Sequence, residues 1–391
     1  MKPSLIVFFK EVRESLRDRR TVISALVTGP LMAPLIFVIA INTVVTRELD
    51  KAERPLALPV IGAQYAPNLI EALKQQQVEI KPGPVDAERA VRDQEADVVL
   101  RIAPNYAEDW GKGQPAQVEL VYDQSQRDAS GSVDRLRGML ERYSERSGEL
   151  RLLARGLAPT VMHPLVVADR DQSTPQARSG IMFGMLPYFF ILGAFIGGMP
   201  LAIDTTAGER ERQSLEPLLA NPVPRGSILA GKLMATTAFS VTTVMLSIIA
   251  FSVAGHFMPT EKIGMVLSIG VRFLVSTLFV MLPLAMLLAA LQTMVAAFAR
   301  SHREAQTYLS LLMFVPVIPT LMLSILPIKA EMWMYAVPLM GQQVAVTRLL
   351  RGDGVAFAAP LLSFFCTAAV ALLVYLVTSR IYQSEKLAIS A

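Results

Sequence analysis

Six stretches of this chain are apolar for long enough to cross a bilayer, and one of the polar segments between them is far longer than the rest. A helix needs about 20 mostly apolar residues to cross a hydrocarbon core about 30 Å thick. Residues 22–45, 181–203, 229–257, 273–299, 308–326 and 357–379 meet that requirement. The pattern predicts an α-helical polytopic membrane protein with six transmembrane helices. Residues 46–179 hold no run of membrane length, so they form a separate domain inserted between helices 1 and 2.

Within that insert, short β-rich runs alternate with helical periodicity. The runs are LALPVIG (56–62), ADVVLRI (96–102), VELVY (118–122) and PLVVA (164–168), with helices expected near 68–77, 86–94 and 132–155. This is the pattern of an α/β or α+β domain, taken as a large inserted α/β domain. On the last helix Val133, Leu136, Leu140, Tyr143, Leu150 and Leu153 form an apolar stripe, expected to pack on the domain's own sheet, with a partner-binding face as the alternative. The one cysteine, Cys366, lies in the sixth apolar run, so the insert has no disulfide.

Composition agrees with the bilayer as solvent: 52% of the 391 residues are hydrophobic and 18% charged, for a mean hydropathy of +0.43. Charge sets the orientation, because cytoplasmic flanks retain Lys and Arg. Residues 1–21 carry Lys2, Lys10, Arg13, Arg17, Arg19 and Arg20 and read as a cytoplasmic amphipathic elbow helix. Arg210, Arg212, Arg225 and Lys232, then Arg300 and Arg303, and finally Arg380 and Lys386 mark the other inner flanks. Both termini are therefore expected inside a cytoplasmic (inner) membrane and residues 46–179 outside it. The first apolar run is too long for a signal peptide and lacks a small-residue cleavage site, so it is expected to stay as an anchor.

The segment 204–228 concentrates charge of both signs. GSILAGKL at 226–233 matches a phosphate-binding loop in all but the last position, where Leu233 replaces the hydroxyl that binds magnesium. No strand precedes it and an apolar run follows, so it is expected to start a helix, with Lys232 at the membrane surface. Just before it, Glu209, Arg212 and Glu216 are spaced to pair along one side of a helix continuing from the second run, with Leu215 as part of an apolar edge. Pro217 and Asn221-Pro222 then stop that helix. A short amphipathic finger of this kind suits a groove in another protein.

Inside the apolar runs, Gly180/Gly184 and Gly193/Gly197 have the small-xxx-small spacing that permits close helix approach, within one bundle or between two copies. Polar residues at membrane depth carry functional suspicion, and Asn42 and Gln292 are the candidate pathway residues. Asp204, Gln306 and Arg272 fall nearer the ends of their runs. Residues 329–356 are too polar to cross, and Trp333 and Tyr335 suit an outer interface. His163, His256 and His302 are scattered, so no catalytic metal site is expected, and neither is a nucleic-acid partner.

An elbow helix, one span, a large outside domain, five more spans and ERERQSLEPLLANPVPRGSILAGK after the second together resemble the permease subunits of ABC-2 type transporters, and most of all the sodium-extruding NatB-like branch. The resemblance covers essentially the whole chain; Gln213-Ser214 stand where the family usually has Gly-Thr. It implies that Glu209, Arg210, Glu211, Arg212, Leu215 and Glu216 couple to a separate cytoplasmic ATPase, which would bind ATP and Mg; this chain would bind no cofactor and hydrolyse nothing. It also implies a second permease copy or paralogue, a re-entrant hairpin near 329–356, and sodium as a substrate. Two other classes stay open on sequence grounds: a non-transporting membrane protein whose outside domain binds a ligand or envelope component, and an intramembrane protease, for which paired carboxylates or histidines within the runs are missing.

Overall fold

The computed structural model describes residues 2–53, 55–162, 165, 168, 170, 172, 174, 183–214, 217, 222–258, 269–325, 329–353 and 357–383. They fall into two compact units, Met1–Arg47 with Gln172–Ala391, and Glu48–Asp171.

The chain opens with α1 (Pro3–Arg17), where Pro3 sits in the first turn and Arg17 in the last. Ile6, Phe9 and Leu16 are exposed, while Glu11 and Ser15 point inward. A short turn, Arg19–Val22, and a π-helical stretch, Ile23–Thr28, lead into α2 (Gly29–Glu53). Pro30 has no N–H for the ladder, which accounts for a loosened register just ahead of it. Leu31, Leu35, Ile36 and Ile39 of α2 are all more than half exposed.

The second unit runs β1 (Leu56–Ile61), α3 (Pro67–Gln75), β2 (Val78–Pro82), α4 (Ala87–Arg92), β3 (Val98–Ile102), α5 (Tyr106–Gly111), β4 (Val118–Tyr122) and α6 (Arg127–Ala154). The sheet order is β2-β1-β3-β4, with β1 parallel to both neighbours and β4 antiparallel to β3. Leu58, Val60, Leu100 and Ile102 pack on one face against Leu69 and Leu73 of α3 and Leu136 of α6. Ala87 and Val91 of α4 pack with Val99 on the other. Strand β2 is absent from the sequence-based expectation. It follows α3 directly, and the turn is made by Gln77 at φ 62, where a glycine or asparagine signal would be expected. The stripe on α6 holds only in its first half: Leu150 and Leu153 are 61% and 57% exposed rather than packed on the sheet. Most of 164–168 lies outside the described residues.

The bundle continues with α7 (Leu186–Ile203), which runs on through a π turn, Asp204–Gly208, into Glu209–Glu211. It is followed by α8 (Arg225–Gly255), α9 (Val271–Phe298), α10 (His302–Leu312), α11 (Phe314–Ile325), α12 (Met340–Arg351) and α13 (Ala358–Gln383). Among the described residues, five helices are long and apolar enough to cross a membrane: Ile23–Arg47, Leu186–Glu211, Arg225–Gly255, Val271–Phe298 and Ala358–Gln383. The expected fifth run, 308–326, differs. It is split at Met313 between α10 and α11, and neither piece is long enough alone. Pro316 cannot donate to the carbonyl of Leu312, so the ladder is interrupted where the break falls.

The polar segment after it is packed into the bundle. Tyr335 is buried while Trp333 is exposed, and Gln342 of α12 donates to Ser363 Oγ at 3.1 Å and Thr367 Oγ1 at 2.9 Å on α13. The side-chain oxygen Oε1 of Gln342 accepts from Leu339 N–H at 2.8 Å, bracing a non-glycine residue at φ 71.

Candidate functional site

One end of the bundle gathers the segments that carried the charge in the sequence. Lys232, near the start of α8, is fully buried; its ammonium donates to a carboxylate oxygen of Glu209 and to the carbonyl of Thr205. The other oxygen of Glu209 lies 3.5 Å from Lys10 Nζ on α1, which also meets Glu11 at 3.2 Å and Glu14 at 3.4 Å. Glu11 is 3% exposed. Burial pushes its carboxyl above the usual range, against the pull of Lys232 and Lys10. Burial alone would lower Lys10, but the carboxylates of Glu11, Glu209 and Glu14 outweigh it and the net shift is upward. Two acids and two bases thus tie α1, the end of α7 and the start of α8 together. Removing one member of the buried Lys232–Glu209 pair costs about 3–5 kcal/mol, because the partner is left charged and unpaired; the exposed Lys10 contributes less.

The apparent phosphate loop has a packing explanation. A side chain at Gly231 would come within 2.6 Å of Ser4 O and Val7 Cβ, so the glycine lets α1 lie directly on α8. Gly226 sits beside α13, where Tyr375 OH donates to its carbonyl at 3.2 Å. Lys232 is therefore a carboxylate partner in the interior, not a lysine at the membrane surface as its sequence position suggested. The glycines spaced around it are helix contacts.

Around this buried set lies an exposed rim. Arg212 reaches Asp204 at 3.0 Å and the carbonyl of Gly208 at 3.1 Å, Glu211 accepts from His302 N–H at 2.7 Å, and Arg210 contacts the carbonyl of Ala299 at 3.5 Å. Glu211, Arg212, Gln213 and Ser214 are exposed. The expected pairing of Glu209 with Arg212 is not made: Glu209 turns inward to Lys232, and Arg212 turns back to Asp204. The helix also stops sooner than Pro217 requires, because Gln213 at φ 56 ends it. Leu215 and Glu216 lie outside the described residues. At the same end Arg225 bonds the carbonyls of Tyr382 at 3.4 Å and Gln383 at 3.3 Å, which brings in the last turn of α13.

The candidate pathway residues separate. Asn42 is half-buried on α2. Gln292 of α9 is fully buried; its amide donates to Phe195 O at 2.7 Å, and its oxygen has no partner among the described residues. That oxygen faces Gly198, where an added Cβ would lie 2.8 Å from it and 2.5 Å from Ser240 Oγ. Gly193 and Gly197 close on Ser247 and Thr243 of α8, so their spacing serves contact within the bundle. Gly184 lies in the turn before α7, and Gly180 lies outside the described residues. Sequence reasoning missed the polar side of α8: Thr236, Ser240, Thr243 and Ser247 are all buried facing these glycines, and Ser240 Oγ has no partner among the described residues. Their spacing of three and four residues is the signal that marks them.

A profile described as ABC-2 family transporter protein matches residues 5–387. The chain belongs to that family of multi-pass membrane transport proteins. It is also similar to the ABC transporter permease protein NatB of Bacillus subtilis (strain 168), with 25% identity over 381 residues, covering 96% of each chain.

Proposed function

We propose that the chain is the permease subunit of an ATP-driven exporter whose energy comes from a separate ATP-hydrolysing subunit docked at the charged end of the bundle. The observation that carries the proposal is the buried Lys232–Glu209 pair with Glu11 beside it, bridged at its edge by the exposed Lys10. It fastens the amphipathic helix α1 to the turn bearing the exposed residues Glu211, Arg212, Gln213 and Ser214, making one rigid surface from two segments far apart in sequence. A rigid, charged surface transmits a partner's movement into α7 and α8 better than a solvated loop does. The excess of Lys and Arg at this end favours a cytoplasmic location, with both termini inside and residues 46–179 outside.

The exposed apolar faces of α2 and α13, including Ile36, Ile39, Leu372 and Leu373, suit lipid and a second permease copy. Sodium efflux rests on likeness to the NatB-like branch. The buried uncharged oxygens of Gln292 and Ser240 are the residues by which a pathway along α7, α8 and α9 would be probed first. The test is to purify the full chain from its native membrane with a mild detergent and identify what accompanies it. A stoichiometric nucleotide-binding subunit is the expected result; its reproducible absence rejects the proposal.

A further inference from the structure

At the end of α9 opposite the charged cluster, a cavity of about 830 Å³ opens between α9, α12 and α13. Its volume falls within the range of about 300–1,000 Å³ typical of small-molecule sites. Its α9 wall is an ordered stripe. Arg272, Val275, Ser276, Phe279 and Val280 follow one another at helical spacing, so a single face of α9 presents a cation first and apolar surface below it. Ala345 and Leu349 of α12 and Pro360 of α13 form the facing walls and are also free of charge.

The charges at the mouth do not cancel. Among the described residues the cavity has one acidic lining residue, Asp353, and its carboxylate is paired with Arg351 Nε at 3.3 Å. Arg272 has no carboxylate or carbonyl partner among the described residues. The last carbonyls of α12 are likewise occupied: Leu349 O accepts from Gly352 N–H at 3.2 Å and Arg348 O from Asp353 N–H at 3.0 Å. The N-terminus of the 28-residue α9, which has no side-chain cap at Gly270, turns its first N–H groups toward the same end as Arg272. The mouth is therefore a net anion site.

Depth matches the same chemistry. Twenty-eight helical residues extend about 42 Å, about 12 Å more than the hydrocarbon core. Arg272, the second residue of α9, is at the helix end, where that excess length would reach the headgroups, and Phe279 and Val280 follow about two turns further along the helix.

We propose that this cavity binds one anionic phospholipid of the adjacent leaflet, its phosphodiester on Arg272 and the α9 N-terminus and an acyl chain along Val275, Phe279 and Val280. A soluble anion would not need the apolar slot. A zwitterionic lipid would place an ammonium group beside an arginine that has no counter-charge among the described residues.

The experiment uses the full chain, delipidated in detergent and examined by native mass spectrometry with phosphatidylglycerol, phosphatidylcholine and inorganic phosphate as probes. Wild-type protein is expected to retain phosphatidylglycerol at least tenfold more tightly than phosphatidylcholine, and millimolar phosphate is expected not to displace it. Arg272→Gln removes the headgroup preference. Val275→Trp, at a position 60% exposed and so tolerant of size, narrows the slot and weakens both lipids. Equal retention of the two lipids by wild type, unchanged selectivity in Arg272→Gln, or full displacement by phosphate each overturns the assignment.

Discussion

Lys232 of α8 gives its ammonium to the Glu209 carboxylate, and Lys10 of α1 approaches the other oxygen of that carboxylate at 3.5 Å. One acidic side chain thereby joins the first helix of the chain to the turn after α7. Lys232→Met leaves Glu209 and Glu11 buried beside a single lysine, and a loss of about 3–5 kcal/mol is expected. The double variant Lys232→Met/Glu209→Leu replaces the central pair with apolar groups, and it should recover most of that loss. Thermal unfolding of the purified full chain in detergent gives both values. A double variant no more stable than Lys232→Met alone would show that the pair is not the unit.

Glu11 supplies a pH dependence. Its folded carboxyl is raised above the unfolded value, so the folded state binds the proton more tightly. This contribution to stability is fully present below the unfolded pKa and is lost as pH rises through the folded one. Glu11→Gln removes the titration. The stability difference between variant and wild type should therefore move in the variant's favour as pH rises across the carboxylate range. Melting curves between pH 4 and 8 measure the difference; a difference that does not vary with pH contradicts it.

Gly197 faces Thr243, where an added Cβ would lie 2.2 Å from Oγ1 and 2.6 Å from Cβ. Gly197→Ala must push α7 and α8 apart, and overpacking of this kind costs about 1–3 kcal/mol. Thr243→Ala in the same chain removes the nearest atom and should restore part of the loss. Additive destabilisation in the double variant would mean that the two positions do not meet.

Orientation is tested with single cysteines in a Cys366→Ala background. Gly138→Cys on α6 should react with an impermeant thiol reagent added to intact cells, and Ser214→Cys should react only after the membrane is opened. Labelling of Ser214→Cys from outside would reverse the topology.

The long apolar helices, the strands β1, β3 and β4 and the polar insert were legible because each depends on a period of hydrophobicity repeated over several residues. What escaped depended on contacts between distant segments or on single backbone angles. Gln77 and Gln213 take positive φ where glycine is the usual signal, which concealed β2 and prolonged the expected finger. Lys232 and Glu209 are 23 positions apart and Lys10 lies on another helix, so no local spacing reveals that they share one buried site. The break between α10 and α11 was readable from Pro316, but an unbroken apolar composition outweighed it.

Docking of a separate ATPase on the rim held in place by Lys232 is tested most directly by how much nucleotide-binding subunit remains on the purified permease. Glu211→Lys/Arg212→Glu reverses two exposed charges while leaving Glu209 and Lys232 intact, and Leu215→Asp places a charge at a position that the sequence pattern assigns to an apolar edge. Retention is normalised to inserted permease that elutes as wild type does. A loss of tenfold or more in affinity, about 1.4 kcal/mol or greater, is predicted for the charge reversal, with a larger loss for Leu215→Asp. Wild-type retention in both variants would contradict the assignment of this end of the bundle to the ATPase.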